Sequence, residues 1–197
     1  EHSFVIRHCL KNIGKKALKG DVYNHNFFTL GLLQTGPSRT IDFPFQPEGD
    51  WRAEYSEVGF TGSGIRFSRV LKKGESVFTG NIHQAGRGLD GSPNAFVLSE
   101  QQTGRSVKMH CATPMTRTVF WSNHRIACLE PYIDFDIRPG EIFDFLAIFP
   151  FLAPNAIVVF HDIILNHLSD NNNAYVTQML INCLAGEILT PIELNAE

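Results

Sequence analysis

His161 and Asp162 stand directly after Ile157-Val158-Val159-Phe160, a short β-branched and aromatic run of the kind that makes a buried strand. An imidazole that titrates near neutrality beside a carboxylate can act as an acid–base couple or begin a metal site. Asp134 and Asp136 add two carboxylates at the end of another strand-like run, Tyr132 to Phe135, and His167 follows five residues after Asp162. Asp134, Asp136 and Asp162 together would offer oxygen ligands to Mg2+ or another divalent cation. The spacing matches no strong zinc motif such as HExxH. A plainer alternative stays open, in which Asp162 caps the segment that follows and the other polar groups satisfy nearby backbone.

A second constellation is Glu57-Val58-Gly59-Phe60-Thr61-Gly62-Ser63-Gly64, between an apparent strand at Tyr55 to Gly59 and an apparent helix at Ile65 to Leu71. Glycines let a backbone approach a ligand closely, and a helix N-terminus offers free N–H groups to a nucleotide or nucleoside cofactor. Glu57, Gly59, Gly62 and Gly64 are the candidate cofactor contacts, although such a turn also serves simply as a tight corner. About twenty residues on, where an acid commonly accepts ribose hydroxyls, stands Asn81. An amide can bond a hydroxyl in either sense but lacks the strength of a carboxylate.

The elements expected to position these groups follow from periodicity and punctuation. Ser3 to about Leu18 places Phe4, Ile6, Leu10, Ile13 and Leu18 roughly on one side of a helix, with lysines elsewhere. The Pro- and Gly-rich run from Gly36 to Trp51 reads as connection and suggests a boundary near residue 50. Residues 1–50 would then be a helical and irregular extension to a domain spanning 51–197. Lys72-Lys73-Gly74 would close the helix at Ile65 to Leu71, and Ser76 to Ile82 would be the next strand. That unit has the length of a parallel crossover. Val107 to Ala112 is a further strand, Thr113 to Glu130 has no assignable period, and Tyr175 to Leu184 reads as an apolar helix.

A net charge of −3 leaves no electrostatic footprint for nucleic acid. The greasy stretch from Ile142 to Leu165 is broken by Asp144, Pro150, Pro154, Asn155 and Asp162, so no membrane span is expected. The N-terminus lacks the continuous apolar core of a signal peptide. Cys9, Cys111, Cys128 and Cys183 show no CxxC pairing and are expected to be buried free thiols, consistent with a cytoplasmic setting.

From about Glu54 to Leu165 the order of these pieces resembles the class I S-adenosylmethionine-dependent methyltransferases, in particular a small bacterial branch associated with sugar, antibiotic and polysaccharide biosynthesis. The residues that carry the resemblance are EVGFTGSGIRFSRVL, SVFTGNIH and YIDFDIRPGEIFDFLAIFPFLAPNAIVVFHDI. It implies an α/β fold with a Rossmann-like, doubly wound, mostly parallel sheet and S-adenosylmethionine on the turn Gly59 to Gly64. It also implies O-methylation of a sugar or small-molecule acceptor, with His161 and Asp162 catalytic and Asp134 and Asp162 as metal ligands. Three departures stand out: the glycines of the turn are shifted by a residue from the family spacing, Asn81 replaces the ribose acid, and Ile137 falls where relatives carry a histidine. They favour the alternative of a non-catalytic Rossmann-like binding or scaffold protein, docking partners through its basic N-terminal helix. A nicotinamide-dependent oxidoreductase would need a better GxGxxG and a ribose acid. Self-association into a homo-oligomer is left open by the sequence.

Overall fold

A computed structural model describes the backbone of residues 2–31, 33–87, 94–151, 157–167, 173–181 and 186–194, and the side chains of 7–31, 33–87 and 94–145. The regular elements among them are all strands: β1 (His2–Asn12), β2 (Leu18–Thr29), β3 (Arg39–Asp42), β4 (Pro47–Trp51), β5 (Val58–Thr61), β6 (Gly64–Phe67), β7 (Ser76–Gln84), β8 (Ala95–Glu100), β9 (Arg105–Cys111), β10 (Arg117–Asn123), β11 (Ala127–Ile137), β12 (Ile142–Phe151), β13 (Ile157–His167), β14 (Asn173–Ile181) and β15 (Gly186–Leu194). They form an eight-stranded sheet in the order β15-β1-β12-β9-β8-β3-β6-β5 and a seven-stranded sheet in the order β14-β13-β2-β11-β10-β7-β4. Apart from β1 with β15, the pairings are antiparallel.

This corrects the expected α/β, Rossmann-like, doubly wound parallel sheet, and with it the resemblance to the methyltransferases. The physical reason is visible at each expected helix. In β1 the described residues alternate, with His8, Leu10 and Asn12 buried and Arg7, Cys9 and Lys11 not, which is the period of a strand. Leu10 and Ile13 had looked helical only because a three-residue spacing fits a helix as well. Ile65 and Phe67 are both buried in β6 around the half-exposed Arg66. Tyr175 and the residues after it as far as Ile181, expected as a helix, lie in β14. Among the described residues the stretch expected as a helical extension is instead stranded: residues 2–51 supply β1 to β4, which pair into both sheets.

Other expectations correspond to what the chain forms locally. Strands are expected at Ser76 to Ile82, Val107 to Ala112, Tyr132 to Phe135 and Ile157 to Phe160; the first, third and fourth fall within β7, β11 and β13, and the second lies in β9 except for Ala112. Their pairing differs from expectation. β7 lies between β4 and β10, and β13 runs antiparallel to β2, so no crossover unit joins β5 to β7. Pro154 and Asn155, which break the greasy stretch, lie outside the described residues. No helix of the described residues is long and apolar enough to cross a membrane.

The sheets pack face to face through alternate residues. Val22, Phe28, Ile82, Phe120 and Leu129 project from the seven-stranded sheet onto Leu10, Ile41, Phe67, Phe96, Leu98 and Phe145 of the other. Ring pairs cross the interface, with Phe28 and Phe96 centroids 6.5 Å apart and those of Phe67 and Phe120 6.4 Å apart. Burying each such ring stabilises the sandwich by about 1.5–3 kcal/mol relative to leaving it in water. Phe28, Phe43, Phe67, Phe96, Phe120, Phe135 and Phe145 are buried in this core. Cys111 and Cys128 are buried free thiols as expected, Cys9 is half-buried, and Cys183 lies outside the described residues.

Because the inner face is filled, alternation leaves a second set of side chains on the outer face of the seven-stranded sheet. In β2 the inner Val22, Asn24, Asn26 and Phe28 interleave with the outward and half-exposed Tyr23, His25 and Phe27. That outer face carries the candidate site.

Candidate functional site

Three central strands set the outer face in rows. Arg117, Tyr132 and Tyr23 stand opposite one another across β10, β11 and β2. Val119 faces Glu130 in the next row, and the flanking pairs Leu129–Asn26 and Tyr132–Tyr23 bring Glu130 to His25. Trp121, Cys128 and Phe27 form the third row, extended by Phe78 of β7. On the far side of β2, Asp162 occupies the register position opposite His25, and its side chain lies outside the described ones.

Packing holds each polar group in this array. His25 Nε2 lies 3.2 Å from Glu130 Oε1, and the two side chains are 23% and 10% exposed. The Cys128 thiol donates to the same carboxylate oxygen at 3.6 Å. Tyr23 and Tyr132 stack with centroids 4.2 Å apart and planes at 15°. The Arg117 guanidinium covers the other face of Tyr132 at 4.1 Å and reaches Asp21 at 3.2 Å. Burial first, and then the nearby Glu130 charge, push the Tyr132 phenol well above its usual range, so it stays protonated and can donate. Phe27 meets Trp121 edge to face at 6.0 Å and closes the apolar end.

The position of Glu130 has a local cause. Pro131 lies within the central strand β11 and has no N–H to give the ladder. The Asn26 side chain reaches across and donates to the Leu129 carbonyl at 3.1 Å, so backbone pairing is supplemented beside Glu130. A carboxylate so nearly buried is costly unless it is paired, and here the imidazole and thiol pair it.

The residues singled out in the sequence occupy three places. Glu57 precedes β5 and lies 3.6 Å from Arg69. Gly59, Gly62 and Gly64 belong to the β5–β6 hairpin, whose Gly62-Ser63 loop has Gly62 at φ 60°. Asn81 lies in β7 of the other sheet, at φ 51°, and donates to Asp50 at 2.7 Å. A hairpin offers no helix N-terminus, so the cradle expected for S-adenosylmethionine does not fit these residues, and the methyltransferase function is corrected on that ground. Asp134 accepts from Thr116 Oγ1 at 3.1 Å, while Asp136 pairs with Lys19 at 2.7 Å, both at the exposed end of β11. Among the described residues no three His, Cys, Asp or Glu side chains gather as a metal site, so the expected metal binding gains no support from Asp134 and Asp136. The side chains of His161 and Asp162 are outside those described.

Glu130 and His25 went unnoticed in the sequence. They are far apart in the chain, and Glu130 closes the stretch with no assignable period. The available signal was the alternation of Tyr23, His25 and Phe27 between apolar or amide residues, the pattern of a strand with two differently furnished faces.

No family model matches the sequence, and no curated protein does. Solved structures that match part of the chain include the Slr1438 protein of Synechocystis sp. PCC 6803, with 12% identity and a TM-score of 0.46 over 71% of this chain and 47% of that one. Another is a protein of Escherichia coli K12 named for aldose 1-epimerase, with 12% identity and a TM-score of 0.43 over 70% of this chain and 52% of that one. The chain thus spans about half the length of these structures.

Proposed function

We propose that the outer face of the seven-stranded sheet binds a carbohydrate and that Glu130 and His25 move protons at its anomeric centre, the reaction class of an aldose 1-epimerase. The observation that carries this is the Glu130–His25 pair, 3.2 Å apart on a face otherwise furnished with phenols, a guanidinium and rings. A pyranose has hydroxyls that both donate and accept and C–H faces that are apolar. The floor of Tyr23, Tyr132, Arg117 and Asp21 matches the first property, and Phe27 with Trp121 matches the second.

The chemistry such a pair supports is general acid–base catalysis of ring opening. Glu130 takes the proton of the anomeric hydroxyl as the bond from C1 to the ring oxygen breaks, and His25 supplies a proton to that oxygen. The open-chain aldehyde turns its carbonyl face and recloses, and both protons return to their starting groups. The reaction is an isomerisation and consumes no other reactant.

The test is the rate at which freshly dissolved α-D-galactose and α-D-glucose reach anomeric equilibrium, followed by polarimetry. The expected result is acceleration over buffer for at least one sugar, falling by a factor of about 10² to 10⁴ in Glu130→Gln. No acceleration of either sugar, or an unchanged rate in that variant, would overturn the proposal.

A further inference from the structure

A second concavity lies away from the outer face, where the edge strands of the two sheets meet. β4 is the outermost strand of the seven-stranded sheet and β5 that of the eight-stranded one, and the segment between them turns through Arg52 to Glu57. Trp51, Ala53, Glu54, Tyr55 and Val58 line an open cleft of about 530 Å3 there. The Trp51 and Tyr55 rings stand nearly perpendicular, 75° apart with centroids at 5.7 Å, and so form two walls of a corner. Phe60 packs against Trp51 at 5.1 Å, and Val58 is buried beneath.

The charges around this corner favour one sign of ligand. Arg52, the adjacent cation in sequence, is turned onto the Phe78 ring at 4.1 Å. Glu57 is engaged by Arg69. Glu54 is exposed and has no hydrogen-bond or ion-pair partner among the described residues. The faces of aromatic rings carry negative potential, and indole is the strongest of them. Two rings at right angles with a free carboxylate at the rim enclose a compact cation from two sides. A flat ring, by contrast, can lie on only one of them.

We infer that this cleft is a binding site for a small alkylammonium group, such as the trimethylammonium head of choline, held by Trp51 and Tyr55 and neutralised by Glu54. The site is separate from the Glu130–His25 face, and its occupancy does not depend on the carbohydrate reading.

The test is calorimetric titration of the full chain with tetramethylammonium, choline and 3,3-dimethyl-1-butanol, the last being a neutral molecule of nearly the same shape as choline. Saturable binding of both cations is expected, with the neutral isostere about tenfold weaker or worse. Glu54→Gln, at an exposed position that leaves the core untouched, should weaken choline several-fold. Trp51→Phe retains an aromatic wall and should weaken it as well, because phenyl is a poorer partner for a cation than indole. Phosphatidylcholine vesicles test whether the same head group is taken from a membrane instead, and binding of vesicles without binding of free choline would overturn the inference. So would the absence of cation binding, equal affinity for the neutral isostere, or choline affinity unchanged in both variants.

Discussion

Replacing Arg39 should damage this protein more than any exposed ion pair would, because its charge is completely buried and answers a second buried charge. Arg39 and Glu100 are 0% exposed, and Arg39 Nε lies 3.7 Å from Glu100 Oε2. The guanidinium also donates to Thr35 Oγ1 at 2.8 Å, to the Arg125 carbonyl at 2.9 Å and to the Leu33 carbonyl at 3.4 Å. It therefore ties β3 to the turn after β10, which belongs to the other sheet. Burial holds its pKa below the usual arginine value, and the Glu100 charge opposes that shift only in part. Arg39→Met would leave the Glu100 carboxylate buried with the Gln102 N–H, 3.2 Å from Oε1, as its remaining donor among the described residues. Breaking a buried pair from one side costs about 3–5 kcal/mol. For a chain of this length that corresponds to a fall in Tm of about 6–20 °C, at about 2–4 °C for each kcal/mol. Removing both charges in Arg39→Met/Glu100→Leu should cost clearly less than the sum of the single changes, since no lone charge remains. Urea unfolding of the wild type, both single variants and the double variant measures the coupling. A loss below about 1 kcal/mol in Arg39→Met, or strict additivity across the cycle, would refute the reasoning.

Phe96→Ala removes a ring that packs on Phe28 across the sandwich and should cost about 3–5 kcal/mol, read as a lower urea midpoint with little change in slope. Gly64→Ala would drive its new methyl into the Ile41 carbonyl oxygen where β6 pairs with β3, and a loss of about 1–3 kcal/mol is expected in thermal melts. Glu75 is held to about 2, below its usual 4.5, chiefly by the Arg69 guanidinium and then by the Lys72 N–H. Because the unfolded chain binds this proton more readily, the contribution is fully present above about pH 4.5 and is lost as pH falls towards 2. The stability gap between wild type and Glu75→Gln, measured by chemical unfolding at a series of pH values, should therefore narrow over that window.

Much of the local structure was legible in the sequence, and much of the fold was not. Ser76 to Ile82 and Ile157 to Phe160 read as strands because β-branched and aromatic residues cluster or alternate there. Ile65 to Leu71 misled because Ile65, Phe67, Val70 and Leu71 satisfy both a two-residue and a helical spacing over so short a run. The decisive cue was the Gly62-Ser63 pair between Val58-Gly59-Phe60 and Ile65-Arg66-Phe67, which is a two-residue hairpin rather than a cofactor turn leading to a helix. A strand followed by a helix at this place would imply a parallel crossover, whereas the hairpin leaves β5 and β6 as antiparallel neighbours.

By itself the sequence determined which residues alternate, where glycine and proline break the chain, and that Cys111 and Cys128 would be buried free thiols. Only the tertiary structure decided which strands are neighbours, and hence that Glu130 meets His25 and that Trp51 meets Tyr55 at a sheet edge. The physical reason is that alternation is a local consequence of the pleat, whereas pairing and register are chosen by the fit of whole faces across the core. Val22 and Phe28 had to pack against the opposite sheet before His25 could face outwards beside Glu130.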